Sequence, residues 1–187
     1  MRRWVATEFI TTVNVKQRTV VLDRFARIAE RCFEFGNYHC CHEILNGLDH
    51  PAVQKLLTHY HIPQSPLAKQ LHKAMEGYQD SLNERMRTGK YAIPSLRFYL
   101  RKMDELAKVP PTDPERPDNL LFEKMHGLGR ILTEIIALQS LPFSKVEDES
   151  PNDKAIKMYL MTLDARVRLD RELDVAARQE EANASIN

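Results

Sequence analysis

Apolar residues recur at intervals of three and four positions along most of this chain. Such spacing places them on one side of an α-helix, so each run predicts a helix with one buried face. The first run extends from Arg18 to Phe35 and carries Val21, Leu22, Phe25, Ile28, Ala29, Cys32 and Phe33. Gly36 and Asn37 should end this helix, because glycine readily takes the left-handed conformation that follows a helix C-terminus. The pattern favours an all-α fold.

The next runs predict three more helices before the middle of the chain. One spans Tyr38 to Leu48, and another begins at Pro51 and carries Val53, Leu56 and Leu57. A long helix is predicted from Leu67 to Arg87, with Leu71, Met75, Tyr78 and Leu82 facing inward. Short connections between these helices imply that neighbours in sequence also pack together.

A helical hairpin is predicted in the second half. Its first arm runs from Pro94 to Lys108, with an apolar face formed by Leu96, Tyr99, Leu100 and Met103. Its second arm runs from Asn119 to Gln139, with Phe122, Met125, Leu128, Leu132, Ile135 and Ile136 on one side. The connector from Val109 to Asp118 holds four prolines, which predicts an exposed, stiff loop without regular structure.

The C-terminal part is predicted to close the fold with two short helices. The polar stretch from Ser144 to Asp153 should be a loop, and helices should follow from Lys154 to Leu163 and from Leu169 to Ala177. We expect the tail, residues 178–187, to be frayed. Residues 1–177 are therefore interpreted as one domain, which suits a chain of 187 residues.

Charge and cysteine content narrow the class of protein. Lys and Arg number 27 against 26 Asp and Glu, so the net charge near +1 predicts no field-driven attraction to nucleic acid or anionic membranes. No stretch approaches the ~20 apolar residues of a membrane span. Three cysteines, without a recognisable signal peptide, favour reduced thiols in the cytoplasm.

Candidate catalytic motifs are weak. His39, Cys40, Cys41 and His42 are all possible zinc ligands, but adjacent helical residues point about 100° apart and cannot converge on one ion. His42 and Glu43 begin a zinc-protease-like motif whose second histidine position holds Asn46. Glycine-rich phosphate loops are also absent from the sequence, so we expect no bound cofactor.

The hairpin carries a family resemblance. Its first arm reads IPSLRFYL from Ile93 to Leu100, and its second begins NLLFEK at Asn119. These resemble the IPFLGLYL and LINFEK stretches of Ras guanine-nucleotide exchange factor (RasGEF) catalytic domains, and the sequence WVATE from Trp4 to Glu8 resembles that family's WVATEI. Further similarities, in the family's order, lie at Arg18–Ala29, Asn37–Leu48, Gln139–Phe143 and Ile156–Leu163.

The resemblance implies an all-α, multi-helix domain with a protruding hairpin that wedges open the switch region of a Ras, Rap or Ral-like small GTPase. By position, Asp104, Glu105 and Lys108 would be the catalytic residues at the wedge. The GTPase-binding residues implied in the same way are Asn37, Asp49, Gln54, Leu96, Arg97 and Arg101. Exchange of this kind breaks no covalent bond. The exchange factor binds the nucleotide-free GTPase more tightly than the loaded form, and by linkage this weakens the affinity of the GTPase for its nucleotide.

Departures from the family pattern leave an alternative open. Asp49 stands where many members have asparagine, Arg97 replaces a glycine, and Lys108 lies where the wedge commonly ends in glutamates. Glu105, one turn earlier, could supply the missing carboxylate. The alternative is a catalytically inactive RasGEF-like scaffold or adaptor. The family's first helices should also be missing, which predicts an exposed apolar patch larger than the ~300–600 Å² typical of a monomer.

Overall fold

The computed structural model describes residues 1–113, 116–120, 122–141, 151–162 and 169–184. Within these residues the chain forms ten helices and one pair of short strands. The helices are α1 (Arg2–Thr11), α2 (Val15–Glu34), α3 (Tyr38–Leu48), α4 (Pro51–His59), α5 (Pro66–Glu76), α6 (Tyr78–Arg87), α7 (Leu96–Ala107), α8 (Phe122–Gln139), α9 (Pro151–Thr162) and α10 (Asp170–Ala184). The strands are β1 (Thr112–Asp113) and β2 (Arg116–Leu120). The all-α prediction is confirmed.

Helix α2 begins three residues earlier than its apolar pattern indicated. The side chain of Asn14 caps it by accepting hydrogen bonds from the backbone N–H groups of Lys16 (2.9 Å) and Gln17 (3.3 Å). Its buried face consists of Arg18, Leu22, Phe25, Ala26 and Ala29. The prediction that Ile28 is buried is wrong, since 44% of its surface is exposed. The buried face of α2 is rotated slightly from the predicted one, since it includes Arg18 whereas Val21 is only half-buried.

Helix α3 has the predicted bounds and packs against α1, α2, α4 and α5. Gly36 precedes it with φ +77°, which confirms the predicted left-handed turn. At its other end Gly47 allows α1 to approach, because a Cβ atom there would lie 2.6 Å from the Cβ of Val5. The residues that α3 buries are Tyr38, Cys41, Ile44, Leu45, Gly47 and Leu48.

The predicted long helix from Leu67 to Arg87 is interrupted. Gly77 separates α5 from α6, and it leaves the helical conformation with φ −100° and ψ 15°. Glycine is the ordinary residue least favourable to a helix interior apart from proline, so an amphipathic pattern that continues across it does not guarantee continuity. The break lets Tyr78 pack against Tyr38, with ring centroids 5.4 Å apart.

The hairpin arms run antiparallel, as predicted. Leu106 of α7 packs against Gly127 of α8, whereas Tyr99, nearer the start of α7, contacts Glu134, nearer the end of α8. The second arm begins at Phe122 rather than at Asn119.

The connector of the hairpin is not wholly irregular, so that prediction is wrong. Strands β1 and β2 pair antiparallel, with Thr112 opposite Leu120. A two-stranded ribbon leaves one edge of each strand unbonded, which is where Pro117 can lie without losing a ladder hydrogen bond. The described residues 109–113 are half-buried or exposed, in keeping with the expected exposure.

The C-terminal helix is longer than predicted. Helix α10 continues past Arg178 to Ala184, so the expected fraying does not begin at 178. Leu173 and Ala177 are fully buried in a core shared with α1, α2 and α4. Glu180 then pairs with the buried guanidinium of Arg18, at 2.9 Å between Oε2 and Nη2. Helix α9 begins at Pro151, three residues before the predicted start at Lys154, so residues 151–153 are helix and not loop. The rest of the predicted loop, residues 144–150, lies outside the described residues.

Candidate functional site: the α7 face and its mount

Helix α7 presents three different faces. One is packed against the rest of the molecule and contains Tyr99, which is 2% exposed, together with half-buried Phe98 and Leu106. A second, here called the outer stripe, consists of Leu96, Leu100 and Met103. A third, here called the charged stripe, consists of Arg97, Arg101, Asp104, Glu105 and Lys108, all of them exposed.

The outer stripe is not core, although the sequence pattern indicated that it was. Leu96 is 49% exposed, Leu100 61% and Met103 37%. Helix α8 shows the same departure, because Met125 and Ile136 are each 63% exposed. The apolar residues that α8 does bury are Ile131 and Leu138. Both hairpin helices therefore keep apolar side chains in contact with solvent.

A hydrogen-bonded group fastens α7 to α8 and α6. The hydroxyl of Tyr99 donates to Oε1 of Glu134 at 2.6 Å, and Nε2 of Gln79 donates to the same oxygen at 3.0 Å. Burial, and then the hydrogen bond to the Glu134 carboxylate, raise the pKa of Tyr99. The hydroxyl therefore keeps its proton and donates throughout the physiological range.

The start of α7 is anchored to α3. The N–H of Ile93 donates to the carbonyl of Gly36 at 2.9 Å, and the N–H of Tyr38 donates to the carbonyl of Ile93 at 3.0 Å. Ser95, which is fully buried, precedes α7 but does not cap it with its side chain. Its hydroxyl instead lies 2.7 Å from Nδ1 of His42 on α3. Two backbone bonds and one side-chain bond thus fix where α7 leaves the body.

Arg85 supports the same junction from α6. Its guanidinium donates to the carbonyl of Tyr91 at 3.1 Å and to the carbonyl of Glu34 at the end of α2. It also lies over Gly36, where a Cβ atom would meet the guanidinium carbon at 2.8 Å. A side chain at position 36 would therefore be strained by its φ and would displace Arg85.

Three of the implied GTPase-binding residues, Asn37, Asp49 and Gln54, make contacts at helix ends. Asn37 caps α3, with its side-chain oxygen accepting from the N–H of Cys40 at 3.0 Å. Asp49 ends α3 and pairs with Nε2 of His72 at 3.1 Å. Gln54 donates from Nε2 to the carbonyl of Leu48 at 2.9 Å. The side chains of Asn37 and Gln54 thus each have a structural role within the chain.

Two of the predicted residues, Arg97 and Asp49, each influence the ionisation of a nearby histidine. Burial, and then the Arg97 guanidinium, lower the pKa of His42, so the electrostatic influence of Arg97 reaches α3. The hydrogen bond that His72 donates to the Asp49 carboxylate is the main cause that raises the pKa of His72. His42 lies in α3 and Asp49 is the C-cap of that helix, about two turns further on. Sequence reasoning did not assign either His42 or His72 to the site.

Lys108 ends α7 and is exposed. Its N–H donates to the carbonyl of Glu105 at 3.3 Å, so Glu105 lies one turn earlier on the helix. The other arm reaches this end through Lys124, whose Nζ donates to the carbonyl of Val109 at 2.9 Å. The charged stripe thus ends in a cation at the point where the hairpin turns. Among the described residues, no group of three His, Cys, Asp or Glu side chains is placed to hold a metal ion.

Residues 1–126 match the sequence model of the RasGEF domain family. The match covers well over half of the chain, from α1 through α7 and into the start of α8. The chain belongs to the RasGEF domain family. The recognition based on the hairpin and WVATE motifs is confirmed.

Relatives of this RasGEF domain occur in distant organisms. It is 28% identical over 147 residues to Ras guanine nucleotide exchange factor M of Dictyostelium discoideum, covering 75% of this chain and 16% of the relative. It is 30% identical to RAS guanyl-releasing protein 4 of Mus musculus, in an alignment that covers 78% of this chain and 23% of the relative. It is 25% identical to Ras-GEF domain-containing family member 1A of Homo sapiens, in an alignment that covers 95% of this chain and 38% of the relative. The chain thus spans well under half the length of these relatives.

None of the described helices of this RasGEF domain is both long and apolar enough to cross a membrane.

Proposed function

We propose that this RasGEF domain promotes release of guanine nucleotide from a small GTPase of the Ras, Rap or Ral type, with the α7–α8 hairpin as the wedge. Family membership supports the class of activity. The observation that carries the proposal is the outward side of α7, where an exposed apolar stripe runs beside an exposed charged stripe on a helix anchored along its packed face.

The physical requirement for exchange is a difference in affinity. A protein that binds the nucleotide-free GTPase more tightly than the loaded form must weaken nucleotide binding by the same coupling free energy. The outer stripe, with Leu96, Leu100 and Met103, offers apolar surface whose burial favours association. The anchored base lets α7 meet the partner without first losing conformational freedom.

The acidic group proposed to act at the nucleotide site is Glu105. It is exposed and lies one turn before Lys108, which occupies the place of the family's carboxylate. A desolvated contact of this kind at an interface is worth about 2–4 kcal/mol, or roughly 30- to 1000-fold in the stimulated rate. Asp104, Leu96, Arg97 and Arg101 are proposed to contact the GTPase around it.

The test is release of a fluorescent guanine nucleotide from a panel of Ras, Rap and Ral-type GTPases. We expect Glu105→Ala to nearly abolish stimulated release and Lys108→Glu to increase it. Asp23→Ala removes an exposed carboxylate from α2, outside the hairpin, and should leave the rate unchanged. An unchanged rate in Glu105→Ala, with exchange still measurable, would show that another group acts at the nucleotide site.

The exposed Lys108 favours a second candidate function, that of a catalytically inactive adaptor. A cation at the end of the wedge cannot supply the carboxylate that the family resemblance implies at this position. The adaptor function is correct if no GTPase in the panel is stimulated and Lys108→Glu does not restore exchange while a nucleotide-free GTPase still binds.

A further inference from the structure

Two cysteine thiols meet where α2 turns into α3. Cys32 lies in the last turn of α2 and Cys40 in the first turn of α3, close enough for each thiol to affect the ionisation of the other. The backbone holds them in register through Asn37, whose N–H donates to the carbonyl of Cys32 at 2.7 Å and whose side chain accepts from the N–H of Cys40. Both cysteines are free and half-buried, so small molecules in solvent can approach them.

The two thiols differ in chemical character. The neighbouring Cys32 thiol is the main cause that lowers the pKa of Cys40, and the Asn37 side chain and His39 act in the same direction. The neighbouring Cys40 thiol, together with burial, raises the pKa of Cys32. Their places in the helices agree with this difference, because the N-terminal turn of α3 favours a thiolate at Cys40 and the C-terminal turn of α2 disfavours one at Cys32. We therefore assign Cys40 as the nucleophile and Cys32 as the resolving thiol.

The third cysteine differs from this pair. Cys41 is fully buried among residues of α1, α2, α3 and α5. Burial raises the pKa of its thiol to about 12. A buried thiol of this kind behaves as a small apolar side chain, so Cys41 serves as an internal reference for the other two.

We propose that Cys32 and Cys40 form a peroxide-sensitive dithiol that is oxidised to an intramolecular disulfide. The Cys40 thiolate attacks one oxygen of hydrogen peroxide, the O–O bond breaks, and the products are Cys40 sulfenic acid and, after proton uptake, water. The Cys32 sulfur then attacks the Cys40 sulfur and forms the S–S bond. The sulfenic hydroxyl leaves with the Cys32 proton as a second water, so two thiols are oxidised as one peroxide is reduced.

The Cys32–Cys40 disulfide would link the two ends of the turn between α2 and α3, to which the start of α7 is hydrogen-bonded. Residues 33–39 would lie inside the covalent loop, including Gly36 and Tyr38, the two residues that bond to Ile93 at the start of α7. The proposal depends on the placement of the two thiols and not on nucleotide exchange. Its test therefore uses the covalent state of the cysteines, and failure of the exchange assay would leave it unaffected.

The experiment treats the full chain with hydrogen peroxide at neutral pH and then unfolds it in guanidinium chloride with N-ethylmaleimide, which blocks every remaining thiol including buried Cys41. Intact mass and non-reducing peptide maps are then measured. We expect the monomer to lose two hydrogens, the labelled thiols to fall from three to one, and the cross-linked peptide to join Cys32 to Cys40. Dithiothreitol should restore all three thiols. Label on Cys32 and Cys40 after peroxide treatment, a bond that includes Cys41, or a disulfide between chains would overturn the proposal.

Matched variants separate the two roles. Cys41→Ser should form the bond as the natural chain does. Cys32→Ser should stop at Cys40 sulfenic acid, which a dimedone probe traps, whereas Cys40→Ser should give neither disulfide nor trapped sulfenic acid at Cys32. Far-ultraviolet circular dichroism before oxidation checks that each variant is folded. Equal dimedone labelling of Cys32 and Cys40 in the single variants would contradict the assignment of Cys40 as nucleophile.

Discussion

Two tyrosines in one core cluster have opposite hydrogen-bonding states, and this difference predicts opposite effects of removing their hydroxyl groups. Tyr99 is 2% exposed and donates to Glu134 at 2.6 Å. Tyr78 is 6% exposed, and its hydroxyl is buried without a hydrogen-bond partner among the described residues. Both rings belong to the same apolar cluster, so each substitution by phenylalanine removes one hydroxyl oxygen from a similar environment.

The expected magnitude follows from the partner of each hydroxyl. A hydrogen bond to a charged group contributes about 1.5–3 kcal/mol, and the lower end applies because Glu134 is only half-buried and also accepts from Gln79. Tyr99→Phe should therefore lower the free energy of unfolding by about 1.5 kcal/mol, or roughly tenfold in the unfolding equilibrium constant. Tyr78→Phe removes a buried group that gains nothing in the fold, so stability should be unchanged or rise by up to about 1 kcal/mol.

Urea unfolding followed by circular dichroism measures both effects. With a slope of about 2 kcal/mol per molar urea, the midpoint should fall by about 0.5–1 M for Tyr99→Phe and stay level or rise for Tyr78→Phe. Equal slopes for the three proteins are needed for this comparison, because a changed slope signals a change in the unfolded state or an intermediate. Equal destabilisation by both substitutions would refute the assignment of the Tyr99 to Glu134 bond as the fastening of the hairpin.

Two further predictions concern stability. Glu180→Ala should destabilise the protein by about 2 kcal/mol in urea unfolding, because it leaves the fully buried Arg18 guanidinium without its carboxylate, while Glu34→Ala in an exposed pair should cost under about 0.5 kcal/mol. Equal losses of stability in Glu180→Ala and Glu34→Ala would contradict the importance of the buried pair. The raised pKa of His72 stabilises the fold below the ordinary value of 6.5, and the effect is lost as pH rises through the folded value. His72→Gln should therefore cost more at pH ~5.5 than at pH ~8.5, by a few tenths of a kcal/mol since Asp49 and His72 are exposed; no dependence on pH would contradict the charge-assisted pair.

Local signals made parts of the fold predictable. The end of α2 followed from Gly36 and Asn37, because a left-handed glycine acts within a few residues of the chain. The Asn37 side chain also caps the start of α3, which is a local signal of the same kind. The antiparallel hairpin followed from two amphipathic runs joined by a short connector. The break at Gly77 was missed because an apolar stripe can continue in phase across a local interruption, and hydrophobic periodicity does not report it.

Exposure was less predictable than helicity. The spacing of Leu96, Leu100 and Met103 correctly indicated one side of a helix, but spacing does not reveal whether another element covers that side. The contact between Ser95 and His42 joins residues 53 positions apart, so it depends on how α3 and α7 are placed in space. Predicting it from one sequence would have required the packing of the helices, which local propensity does not specify.

Stability and proposed activity should be separable on α7, because the helix divides them between its faces. Tyr99 and Leu106 on the packed face hold the hairpin in place, whereas Glu105 and Lys108 on the charged stripe are exposed and make no side-chain contact that supports the core. Exposed substitutions away from caps and buried networks usually change stability by less than about 0.5 kcal/mol. A change in exchange rate from Glu105→Ala at unchanged stability would thus report on the partner interface. A change from Tyr99→Phe would report on the rigidity of the helix that carries it.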